Sequence, residues 1–427
     1  MNKKMNKKRV LWLSNVDLLD KNPNKTGTWI HSMFHALRNS SEIDICANIT
    51  FTSHSYFHKK EENGVIHFYV PRKESNSKDY PTKAAINYVV SAILESQPDL
   101  LHIWGLELYW GLIMGDERIN NYKKLLEIQG IKSVYSENQY FMGGLSCRDI
   151  KKMRSFLQHL LPIRRVESIQ SCFHNWGKAE KQILHNVTNI NTQSDWVRNV
   201  LSAITDSSKL QMYKTGIILR DSFTKSTPWY LVHKYQGHPV LFTTTSSIPY
   251  KGLHVTIKAF HIIKSMHPNA VLKIAGMNAW KPNLIRGGYS KYIYYLVKEL
   301  GLQDSIFFLG NLNEKEMLNE MYGADVFVLS SYIETYCLAL AEALSIGLPC
   351  VVAYSTALPE LVKDKENGLL YPVGDHYTCA CRIDYYLENP EFSNKVSETS
   401  SISYRTGHSS QSAVEMQMTT YKQLLSK

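Results

Sequence analysis

Short apolar runs rich in β-branched residues alternate along the chain with segments whose apolar residues recur every three or four positions. Arg9 to Ser14, Ile43 to Ile49, Gly64 to Val70, residues 98 to 105 and Leu125 to Ile131 read as strands. Helical spacing fills Trp29 to Leu37, with Ile30, Met33, Phe34 and Leu37 on one face, and then Lys83 to Glu95. Residues 72 to 82, rich in Ser, Lys and Asp, read as a mobile loop. Thr188 to Arg198 reads as a strand entering a helix capped by Ser194 or Asp195. The rhythm resumes with strands at Pro239 to Thr244, Ala270 to Gly276, Ser305 to Leu309, Val326 to Leu329 and Cys350 to Ala353, and residues 410 to 425 are helical by pattern. Strands spaced by helices predict parallel, doubly wound α/β sheets.

At 427 residues the chain exceeds one ordinary core, so two domains are expected. A polar stretch with Pro228 puts the boundary near 220: residues 1–219, then 220–404, with a final helix 405–427 returning to the first domain.

The densest pattern lies in residues 321–375, where a strand, a loop from Ser330 to Thr335, a helix from about Tyr336 to Ile346 and a Gly347-Leu348-Pro349 stop form one βαβ unit. Glu334 sits in the loop and Glu342 eight residues later. At helical rise that spacing is about 12 Å, the length of a diphosphate flanked by two sugar rings. A helix N-terminus lies between the two acids, and its free N–H groups favour an anion. On spacing alone, the alternative is a helix-dipole partner at Glu334 and a solvated helix residue at Glu342.

Charge narrows the partners. The net charge of +10 suggests an anionic one. No interleaved aromatic and basic motif for nucleic acid appears, which leaves a nucleotide diphosphate or a phospholipid surface. Seven scattered cysteines make neither a disulfide framework nor a metal pair, no Asp-x-Asp or His cluster offers metal ligands, and no run of about 18 apolar residues occurs. A cytoplasmic protein without a metal cofactor is expected, with the inner membrane face as an additional address. Residues 149–170 read as a basic amphipathic segment, with Met153, Phe156, Leu157, Leu160 and Leu161 on one face and Lys151, Lys152 and Arg154 beside or opposite them. Core packing and a membrane-surface helix are its two readings.

Ser331-x-x-Glu334, Glu342-Ala343-Leu344-Ser345-x-Gly347-x-Pro349, Pro359-Glu360-Leu361 and Asn367-Gly368-Leu369-Leu370 together resemble the E-x7-E region of retaining glycosyltransferases of family four. The resemblance implies a B-type fold, two Rossmann-like domains facing a cleft. It also implies transfer of a sugar from a nucleotide diphosphate sugar to a sugar or lipid-linked acceptor hydroxyl, with retention, in surface polysaccharide or glycolipid synthesis. Glu334 would lie beside the donor sugar, Glu342 would bind the ribose, and Tyr336, Cys337 and Leu338 would line the donor, with Cys337 standing where the family has Gly. Lys251-Gly252 resembles the end of the R-x4-K-G signature whose cations meet the β-phosphate, and Ser246 replaces its Arg. Gly27 would approach the donor phosphates, an ordinary helix-entry glycine being the alternative. His102 falls in a segment resembling P-D-x-x-H-x-H, in which a structural role is the alternative. Gln129 stands where many members place a sugar-contacting His, and it can hydrogen-bond without carrying a proton. The departures at Ser246, Gln129 and Cys337 support a second expectation, a non-catalytic partner subunit that binds without transferring.

Overall fold

The computed structural model describes residues 7–20, 28–72, 75–76, 80–156, 158, 165–233, 237–280, 287–407 and 410–426, so Gly27, Leu157, Leu160 and Leu161 lie outside the described residues. The chain divides into two compact units: residues 1–133, 175–218 and 408–427, and residues 134–174 and 219–407. The expected division was residues 1–219 with the final helix 405–427, and residues 220–404. The units also exchange residues 134–174, which pack with the second although they follow strands of the first.

In the first unit the strands are β1 (Lys8–Leu13), β2 (Ile43–Thr52), β3 (His58–Glu62), β4 (Val65–Pro71), β5 (Leu100–Trp104), β6 (Lys123–Glu127), β7 (Asn189–Thr192) and β8 (Gln211–Lys214). They form one sheet in the order β8-β7-β6-β5-β1-β2-β4-β3, parallel except for the edge strand β3. Val10 to Leu13 and β5 are buried throughout, as strands covered on both faces must be. The edge hairpin partner β3, HKKEE, was not expected, because its charged residues lack an apolar face. Its lysines and glutamates discourage further pairing at the edge. The helix Ser410–Ser426 belongs to this unit: Tyr421 Oη approaches Trp12 Nε1 at 3.2 Å and His102 Nδ1 at 2.7 Å.

The second unit holds β9 (Val240–Thr244), β10 (Val271–Ala275), β11 (Ile306–Gly310), β12 (Val326–Leu329), β13 (Cys350–Tyr354) and β14 (Leu369–Pro372), all parallel, in the order β11-β10-β9-β12-β13-β14. The strand order reverses between β9 and β12, so the loops leaving their carboxyl ends diverge and open a crevice. Lys251 and Glu334 lie on those two loops.

Three expectations change. Residues 149–170 are not one helix: Cys147–Lys152 is helical, a turn follows at Met153, and the next long helix is Val166–Asn186. Met153 is buried, Lys152 pairs with Glu299 at 3.0 Å and Arg154 with Glu167 at 2.6 Å, while Phe156 is 79% exposed. Part of the expected loop at 72–82 pairs as a short hairpin, Ser75–Asn76 with Tyr80–Pro81. The strand expected at Leu125 to Ile131 is Lys123–Glu127, which leaves Gln129 in the loop after it.

Candidate active site

The site of the second unit is built by backbone before side chains. Pro249–Lys251 forms one tight turn after β9, and Gly252 ends it in the left-handed region at φ 67°. A Cβ on Gly252 would fall 1.9 Å from the Ser330 carbonyl oxygen, so the Lys-Gly pair needs its glycine for the turn to lie against the end of β12. Tyr332 N–H donates to the Tyr250 carbonyl at 2.7 Å, which fixes one loop on the other. Lys251 Nζ then reaches Glu334 Oε1 at 2.6 Å. Glu334 is further held by Thr356, whose hydroxyl accepts from its N–H and donates to its carbonyl, each at 2.9 Å.

After Glu334 the chain stays non-helical through Cys337, and the helix is Leu338–Ile346. The expected 12 Å of helix between the two acids is therefore part loop, and Tyr336 precedes the helix. Cys337 adopts φ 97° and ψ 87° and provides no side-chain cap. A Cβ-bearing residue pays strain in that region. First-turn N–H groups of the nine-residue helix have no intrahelical partner, and the Cys337 sulfur faces the Leu340 N–H. Burial pushes the Cys337 thiol up to about 12, so it stays protonated.

Glu342 is 4% exposed, which excludes a solvated helix residue. Arg220 closes on it bidentately, Nε to Oε1 and Nη2 to Oε2, both at 2.6 Å. Burial raises the Glu342 pKa, and Arg220 opposes that rise. The guanidinium is itself stacked 4.6 Å over the Phe223 ring.

Other expected residues are more dispersed. Ser246 is half-buried beyond the end of β9, and Leu338 is half-buried as the first helical residue. Tyr336 is 7% exposed, with its hydroxyl lacking a hydrogen-bond partner, and its ring turns inward toward Tyr404. In the first unit His102 is wholly buried, stacked on Trp104 at 4.1 Å, with Nε2 3.7 Å from Glu127 Oε2. Burial lowers its pKa, and its geometry is that of a core histidine. Gln129 is half-buried beside Gly105, in a neighbourhood dominated by Glu107. Glu107 is wedged against Gly105 and Gly130 at the carboxyl ends of β5 and β6, and burial pushes its carboxyl up to about 7.

Arg220, Tyr135 and Glu107 were not expected from the sequence. Tyr135 stands beside the Lys251 and Glu334 charges and hydrogen-bonds Thr335. Arg220 lies 122 residues before its partner, and no motif announces it. Away from these residues, His267, Asp384 and Glu388 are a group among the described residues that could hold a metal ion. Among the described residues no helix is long and apolar enough to cross a membrane.

Two α/β units built on parallel sheets, the second carrying a Lys on one strand-end loop, an acid on the next and a helix start after it, define the class: a chain of B-type glycosyltransferase fold. Residues 232–401 match the family model of glycosyl transferases group 1. Among curated relatives, an uncharacterised glycosyltransferase of Haemophilus influenzae is 29% identical over 153 residues, 35% of this chain and 40% of that protein. The putative colanic acid biosynthesis glycosyltransferase WcaL of Salmonella typhimurium is 30% identical over 139 residues, 31% of this chain and 32% of its own length. The match thus spans well under half of either relative. Among solved structures, sucrose-phosphate synthase from Thermosynechococcus elongatus aligns with TM-score 0.70 at 16% identity, covering 98% of this chain and all of that one. Anabaena HepE in complex with UDP-glucose aligns with TM-score 0.65 at 13% identity, covering 98% and 100%. At such identities these likenesses show the fold.

Proposed function

We propose that the chain transfers a sugar from a nucleotide diphosphate sugar to an acceptor hydroxyl with retention of configuration. The observation that carries the reading is the Lys251 to Glu334 contact at 2.6 Å beside the uncapped start of Leu338–Ile346. A departing diphosphate needs cations and oriented N–H groups at that place. On donor binding, Lys251 exchanges Glu334 for a β-phosphate oxygen, and Glu334 turns to the hydroxyls of the donor sugar. Glu342, deeper in the helix, accepts from the ribose. Ser246 supplies no charge where the family pattern has Arg, so Lys251 and the helix start carry the phosphate between them.

In the transfer, the bond from the anomeric carbon to the phosphate oxygen breaks and the acceptor oxygen bonds that carbon on the same face. The acceptor proton passes to the leaving phosphate. No enzyme nucleophile and no metal enter this scheme. The match to WcaL, named for colanic acid biosynthesis, supports a polysaccharide product, with a sugar or lipid-linked acceptor. A cytoplasmic site, on or near the inner membrane face, fits such an acceptor.

The second reading, a partner subunit that binds without transferring, is favoured by the strained Cys337 at a position where the family has Gly. One experiment separates the two: incubation with UDP-, GDP- and ADP-sugars, with and without lipid-linked acceptors, measuring both nucleotide release and nucleotide affinity in EDTA. Release supports transfer without a metal. Affinity without release under any condition supports the partner reading, and neither affinity nor release removes both.

A further inference from the structure

A carboxylate inside a protein is hard to keep charged. Glu342 is 4% exposed and its environment favours the protonated acid. Protonated, it would present one O–H donor and lose acceptor capacity, and it could not draw two hydroxyl donors from a sugar ring. Arg220 opposes that tendency. Its two contacts at 2.6 Å fix the plane of the carboxylate and favour its charged form.

The arginine is itself braced. It stacks at 4.6 Å on Phe223, in the short helix Asp221–Thr224 that begins one residue after it. Ser222 of that helix hydrogen-bonds Glu314, which opens the helix Glu314–Tyr322. The other titratable and charged groups near Glu342 do not replace Arg220. Glu314 acts in the opposite sense, raising the Glu342 pKa. Cys337 is neutral, and Arg405, from the helix Pro390–Gly407, gives its Nε–H to the Ser345 carbonyl at 2.9 Å.

Resting on the donor reading above, we propose that Arg220 is a positioning residue that keeps Glu342 ionised and oriented to read the ribose hydroxyls of the donor nucleotide. It contributes to the ribose contact through Glu342, which is the residue that touches ligand. The chain thereby distinguishes ribonucleotides from 2′-deoxyribonucleotides through a charge held in place by a residue outside the E-x7-E run.

The test is calorimetric binding of UDP, GDP and ADP and their 2′-deoxy counterparts to wild type, R220K and R220Q between pH 6 and 8.5, with circular dichroism as the folding check. The ratio of the two affinities is read, because phosphate titration affects both ligands alike. Wild type should favour the ribonucleotide by about tenfold at every pH, the worth of a hydrogen bond to a charged group. R220Q should lose most of that preference at pH 6 and recover it as pH rises and Glu342 sheds its proton. R220K, charged but unable to grip both oxygens, should show a smaller preference that stays flat with pH. An R220Q ratio equal to wild type throughout, or tighter ribonucleotide binding once Arg220 is gone, overturns the proposal. Should R220Q not fold, R220K decides: a selective loss for the ribonucleotide supports the role, and equal losses for both ligands overturn it. Wild type that binds no nucleotide at all overturns the donor reading, and this inference falls with it.

Discussion

The strand ends of the two sheets hold buried acids in opposite ways. In the second unit each acid has its own cation, Lys251 for Glu334 and Arg220 for Glu342. In the first unit the wholly buried Glu127 is held by amides, Asn191 Nδ2 at 2.8 Å and Gln193 Nε2 at 3.2 Å, and Glu107 is pressed between two glycines. A charge paired with a cation is ready to be exchanged for a ligand's charge. A carboxylate held by amides serves instead as a fixed acceptor or takes up a proton. Under the function proposed above, the contrast predicts that the anionic end of a donor meets the second unit's loops.

The sharpest way to break that contrast is Glu334→Gln. It preserves shape and removes the charge that the proposed function sets beside the donor sugar, and transfer should fall by about 10²–10³-fold with the fold intact. Unchanged turnover would take Glu334 out of the site.

Lys251→Ala comes next. Affinity for a nucleoside diphosphate should drop by about tenfold to a hundredfold, while the free nucleoside, which lacks the charge Lys251 meets, should hardly change. Equal losses for both ligands would make the lysine structural.

Glu107→Gln probes the other side of the comparison through stability. The folded-state pKa of this carboxyl, about 7, lies above its ordinary value of 4.5, so the native state binds the extra proton between those values. Its contribution is therefore fully present below about pH 4.5 and is lost as pH rises to about 7, at a cost on the order of 2 kcal/mol. The glutamine variant should flatten the fall in unfolding free energy across that window and be the more stable protein at pH 8. Parallel curves for the two proteins would show that the carboxyl titrates normally.

The smallest expected effect is from Cys337→Gly. The left-handed backbone at φ 97° suits glycine, and the variant should gain about 1 kcal/mol in stability from released strain, with the greater freedom of glycine in the unfolded chain opposing part of it. Denaturant melts of the two proteins measure this, and a less stable variant would show that the thiol's packing outweighs the backbone.

What the sequence disclosed follows from chain distance. Val326–Leu329, the loop, Leu338–Ile346 and the Gly347 stop are consecutive, so periodicity and turn chemistry expose the whole unit, and the turn with Lys251 and Gly252 announces itself likewise. The Arg220 partnership and the placement of Tyr135 beside Glu334 depend on tertiary packing between distant segments, which leaves no local pattern. Apolar residues at helical intervals in 149–170 likewise do not reveal the turn at Met153 that follows the helix Cys147–Lys152.

The exchange of segments between the units bears on how the protein is made. A chain leaves the ribosome from its first residue onward, and domains ordinarily fold as their sequences emerge. Here Trp12 and His102 appear early, yet Tyr421, the hydroxyl that engages both, emerges more than three hundred residues after His102. In between, His254 must bond the carbonyl of Gly143, whose segment has waited through the synthesis of two further strands of the first sheet. The first sheet thus spends almost the whole of translation without its last helix. The second unit, complete by about residue 407, is the one able to finish first, so the order of folding runs against the order of synthesis.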